Sequence, residues 1–103
     1  MEFEVPSFRV TLTIGAVDPN VDPSSILPRA AAAVREFTTV EAFDVGVVSG
    51  TARITVRFTA DDGEVALQIG RHVANTLRPL AEIVAAKVTE RVGGRWYLVQ
   101  DDR

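Results

Sequence analysis

The segment from Val40 to Thr59 constrains the fold more than any other part of the chain. Two alternating runs, Val40–Val48 and Thr51–Thr59, are separated only by Ser49-Gly50, and a two-residue link between such runs closes an antiparallel hairpin. With Val48 opposite Thr51, Phe43 meets Val56, Val45 meets Ile54 and Val47 meets Ala52 on one side. Asp44 meets Thr55 and Gly46 meets Arg53 on the other. One face is then apolar and the other polar, a division that a one-residue slip would invert. The apolar face calls for a covering layer.

The rest of the chain supplies it. Residues 7–14 alternate strictly, with Phe8, Val10, Leu12 and Ile14 on one side and Ser7, Arg9, Thr11 and Thr13 on the other, as a half-buried strand requires. Pro, Gly and Asn punctuate residues 15–23, which read as a loop. Asp22 or Ser24 can cap a helix over about residues 25–38, with Ile26, Ala30, Ala33, Val34 and Phe37 as its apolar stripe and Pro28 confined to its first turn. Asp61 and Glu64 have capping-box spacing for a second helix, whose stripe is Val65, Ile69, Val73, Thr76 and Leu77 and which Pro79 stops. Strand-like residues resume near Ala81. Gly93-Gly94 closes a final hairpin that pairs Val92 with Arg95, Arg91 with Trp96, Glu90 with Tyr97, Thr89 with Leu98 and Val88 with Val99.

Two strands bracketing a helix, twice over, resembles the split β-α-β arrangement of ferredoxin-like domains from about Ser7 to Val92. The resemblance implies an α+β two-layer sandwich, β-α-β-β-α-β with an extra C-terminal strand, an antiparallel sheet and both helices on one face. It is a likeness of fold and implies no activity.

A length of 103 residues suits one such domain, expected over residues 1–103. The absence of cysteine excludes disulfides, thiolate metal sites and cysteine nucleophiles. The apolar runs are far short of the roughly 20 residues of a membrane span, and acidic residues near the N-terminus do not fit a signal peptide. A cytoplasmic protein with no membrane association is expected. The net charge of −3 gives no global attraction to nucleic acid, so the distribution of charge matters more than its sum.

Evidence of catalysis is thin. His72 is the single histidine and reads as a boundary residue of the second helix; a general-base role would need a carboxylate beside it. Asp18 and Asp22, and Asp61, Asp62 and Glu64, lack calcium-loop spacing and fit turn and capping roles. No phosphate-binding glycine loop or nucleophile elbow occurs. No cofactor, no metal and no catalytic residue is expected.

The outer face of the sheet is more informative. Arg9, Thr11, Thr13, Arg53, Thr55, Arg57 and Thr59 fall on the side away from the helices. In the last hairpin, Val84, Ala86, Val88, Tyr97 and Val99 look like the core set, which puts Lys87, Thr89, Arg91, Trp96 and Leu98 outside. Trp96 opposite Arg91 suits a cation–π contact. A solvated Arg/Thr face is ordinary for an antiparallel sheet, but an outward tryptophan argues for coverage. The binding residues expected are Arg9, Arg53, Arg57, Arg91, Trp96 and Leu98. The leading expectation is a non-catalytic domain that forms a homodimer or binds a protein through this face. Nucleic-acid binding on the same face comes second, because the stacking aromatics of RNA-recognition sheets are missing from the central strands. A small ligand-binding protein or enzyme near His72 comes last.

Overall fold

The computed structural model describes residues 5–99. They form β1 (Ser7–Val17), a 3-10 turn (Pro23–Ser25), α1 (Ile26–Arg35), β2 (Val40–Val48), β3 (Thr51–Thr59), α2 (Gly63–Leu77), β4 (Ala81–Val92) and β5 (Arg95–Leu98). This is a small α+β domain whose five strands make one antiparallel sheet in the order β2-β3-β1-β4-β5. Both helices lie on the same face. Phe8, Val10, Leu12 and Ile14 from β1 and Ile54, Val56 and Phe58 from β3 share one core with Ile26, Ala30 and Val34 of α1 and Ile69, Val73 and Leu77 of α2. Among the described residues no helix is long and apolar enough to cross a membrane.

Both hairpins form in the expected registers. Ser49 and Gly50 have φ of 52° and 78°, and Gly93 and Gly94 have 57° and 82°. Positive φ at both turn positions matches the right-handed twist of the flanking strands, which is why glycine recurs there. Val99 continues the second hairpin with an N–H bond of 2.9 Å to the Val88 carbonyl.

The helices differ from expectation at their ends and in the residues they bury. Asp22 caps the 3-10 turn, its Oδ1 accepting from the Ser24 N–H at 3.0 Å, and α1 begins only at Ile26. It stops at Arg35, with Phe37 and Thr38 turning back to bond the Val34 carbonyl, so Phe37 leaves the stripe and is 59% exposed. Asp62, not Asp61, caps α2, accepting the Val65 N–H at 2.9 Å. The buried face of α2 contains the expected Ile69, Val73 and Leu77 and also takes in Ala66, Gly70 and Ala74, leaving Val65 and Thr76 at its margin. A Cβ on Gly70 would come within 2.6 Å of Val88 Cγ2, so the missing side chain lets α2 approach the sheet closely.

Three further expectations are corrected. The loop expected at Gly15 begins later, because β1 continues to Val17 and pairs it with Ala81. That extension carries a register shift: Thr13 pairs with Ala85, but Ile14 pairs with Ile83. A bulge of this kind reverses the facing of the residues beyond it, and Val84 lands on the outer side beside Gly15, 60% exposed instead of buried. Ala86 and Tyr97 are also exposed. They share the helix-side face with Val88 but stay open to solvent, Ala86 in a cleft whose other wall is formed by Arg71, Ala74 and Arg78 at the C-terminal end of α2. The same holds at the opposite edge, where the apolar side of β2 faces the helix layer yet stays open to solvent.

Candidate functional site

The outer face brings most of the expected residues together. Register places Arg9 opposite Arg57, Thr11 opposite Thr55 and Thr13 opposite Arg53, and on the other flank of β1 it places Arg9 opposite Thr89 and Thr11 opposite Lys87. Arg9 facing Arg57 is a like-charge cross-strand pair, a destabilising arrangement on a bare sheet. Trp96 offsets it. The Arg9 guanidinium lies 3.9 Å from the indole centroid and that of Arg57 lies 5.4 Å from it, so both cations share one electron-rich ring.

Glu41 makes the second compensation. Its Oε1 lies 3.5 Å from Arg57 Nε and accepts the Ser7 hydroxyl at 2.9 Å. The bulge between Val40 and Ala42 lets Glu41 reach the outer side. At 3.5 Å the contact is an ion pair and not a hydrogen bond; Arg57 Nε is buried without a hydrogen-bond partner. Arg57 is thus held by an indole and a distant carboxylate, and its donors are incompletely used. Arg53 and Arg91 are exposed at the margins of this centre, and Leu98 is exposed opposite Thr89. Arg91 is the direct cross-strand neighbour of Trp96, yet the cations over the indole ring are Arg9 and Arg57.

The His72 region has half of what a catalytic reading needs. His72 Nε2 lies 2.8 Å from Glu36 Oε2, and the ring meets Phe37 edge-on at 4.9 Å. The neighbouring cleft, about 380 Å³, is lined by Phe37, Thr38, Thr59, Asp61, Gln68 and Ile69 among others, but not by His72. Thr38 spends its hydroxyl on the Thr59 carbonyl at 2.7 Å. The carboxylate is present, therefore, but His72 does not line this cleft, and the Thr38 hydroxyl within it is already committed to the backbone. Neither helix terminus nor sequence pattern announced the Glu36 contact, which arises because α1 ends in time to bring Glu36 and Phe37 against α2.

Three of the acidic residues serve the backbone. Asp18 Oδ1 accepts the Asn20 N–H at 2.8 Å, and Asp22 and Asp62 are caps. Hydrogen bonds from the Ser24 N–H and hydroxyl hold the Asp22 carboxyl below the usual aspartate range. No group of three or more potential metal-ligating side chains occurs among the described residues.

No protein-family model, no curated protein and no solved structure matches the chain.

Proposed function

We propose that this is a non-catalytic protein-interaction domain whose outer sheet face docks a carboxylate-rich partner surface. The observation that carries the reading is the convergence of Arg9 and Arg57 over Trp96. Two guanidiniums brought together against their mutual repulsion make a preorganised receptor for an anion, and arginine presents planar paired donors to carboxylates. Trp96 and Leu98 add apolar contact area beside them, the composition of an interface hot spot. Self-association through this face has less support, since Arg9, Arg53, Arg57 and Arg91 would meet their own copies.

The ferredoxin-like reading of the fold belongs to the same proposal. Without β5 the strand order is β2-β3-β1-β4, and the two helices cross one face, which supports that topology with an added edge strand. It leaves the outer face free for a partner.

Nucleic acid is the second reading, favoured by the same cations. Against it, Arg9 at 3.9 Å already covers one face of the indole that would otherwise stack a base. Trp96 is the single tryptophan, so its emission reports the site directly. Titration with an acidic peptide such as oligoglutamate is expected to shift that emission saturably, with Arg9→Ala and Arg57→Ala abolishing the response. A response to single-stranded oligonucleotide alone would favour the second reading. No response to either, or one unaffected by Arg9→Ala, would remove the site from consideration.

A further inference from the structure

β2 is an edge strand, and among the described residues its outer rim has no strand beside it. Natural edges are usually blunted by lysine, proline, brevity or a bulge along the exposed stretch. β2 is nine residues long, VEAFDVGVV, with neither lysine nor proline, and its register shift falls at its beginning. Glu41, one of its two charges, is turned toward Ser7 and Arg57. On the helix side Phe43, Val45 and Val47 are 45%, 52% and 73% exposed. Arg35 reaches toward them, 5.6 Å from the Phe43 ring centroid. An open hydrogen-bonding rim and an open apolar row thus coincide on the same strand.

We propose that β2 pairs antiparallel with β2 of a second copy, about a two-fold axis through Val45, so that the two sheets become one. The strand is self-complementary in this register. A two-fold axis normal to the sheet keeps each face on its own side. Val45 then opposes the partner subunit's Val45, Phe43 opposes Val47 of the partner subunit, and Ala42 opposes the partner's Val48. The remaining charge, Asp44, opposes an uncharged residue, the partner's Gly46. Centring the axis on Asp44 instead would set two carboxylates against each other, which disfavours that register. The other sheet edge, β5, has only four residues. Head-to-tail pairing of β2 with β5 would leave most of β2 uncovered and would propagate, whereas the two-fold contact closes. This surface is separate from the outer-face cluster, so either assignment can fail without the other.

The absence of cysteine from the chain gives a clean test. Directly opposed residues in an antiparallel pair have Cα atoms about 4.5–5.5 Å apart, within disulfide range. Under mild oxidation Val45→Cys is expected to cross-link to a covalent dimer, while Val47→Cys, displaced from its own copy, is not. Sedimentation of the unmodified chain is expected to give twice the 11.2 kDa monomer mass. Val45→Lys, shown to be folded by circular dichroism, is expected to weaken association by roughly a hundredfold or more through like charges at the axis. Trp96→Ala is expected to leave the dimer intact. A strict monomer at high concentration, a dimer unaffected by Val45→Lys, or preferential cross-linking through position 47 would each overturn the proposal.

Discussion

The guanidinium of Arg9 lies 3.9 Å from the centre of the Trp96 ring, although β4 separates their strands. The intervening strand contributes Thr89 opposite Arg9, a short side chain that two long ones can pass over. The contact therefore spans three strands and ties the C-terminal hairpin to the centre of the sheet, with Arg57 joining from β3.

Arg9→Ala is expected to shift Trp96 emission to the red and to lower stability by about 0.5–1 kcal/mol, the range for a partly exposed cation–π contact. Arg91→Ala, although Arg91 is the cross-strand neighbour of Trp96, is expected to leave the emission unchanged. Fluorescence spectra and urea unfolding of both variants check the pair.

Gly70 sets helix propensity against packing. Replacing a mid-helix glycine with alanine ordinarily stabilises by about 1 kcal/mol. Here the new methyl would meet Val88 Cγ2 at 2.6 Å, and overpacking of this kind costs about 1–3 kcal/mol. Valine cannot easily swing aside because its χ1 is stiff. Gly70→Ala is expected to be destabilising on balance. Val88→Ala in the same chain should recover part of the loss, which denaturant midpoints of the two single variants and the double variant would reveal.

Asp22 gives a pH dependence of known sign. Its folded carboxyl titrates below the ordinary aspartate value because the Ser24 N–H and hydroxyl bind its charged form. A depressed folded pKa stabilises the native state above the unfolded value of about 3.9. That contribution disappears as pH falls through the folded value. Carboxyl NMR titration is expected to place Asp22 below an unperturbed aspartate. The stability difference between the parent chain and Asp22→Ala should be greatest above pH ~4 and shrink in stronger acid.

Much of this architecture was legible because two kinds of signal coincided. Two-residue turns fixed the hairpin registers, and alternation fixed which residues shared a face. Alternation does not say whether anything reaches that face, so Phe43, Val45 and Tyr97 could be assigned to a side of the sheet but not to solvent. The bulge beside Gly15 is a single-residue offset with no strong compositional mark, and it reversed Val84. In α2 small residues share the buried face with Ile69, Val73 and Leu77. Ala66, Gly70 and Ala74 give a weak hydrophobic signal, so the expected stripe caught the larger residues of that face and missed the small ones. At the outer face the residue set was readable from strand parity. The direction in which Trp96 leans was not, because it depends on side-chain reach across strands.

The uneven cover of the sheet also divides its motions. Opening the strands around Phe8, Val10 and Phe58, which are fully buried, exposes core and requires disruption of the whole domain. The end of the β2–β3 hairpin has no such burden, so its amides can exchange through local fraying. The sheet is thus expected to exchange slowly at its centre and faster at its rim, and anything that pairs with the rim acts first on the faster part.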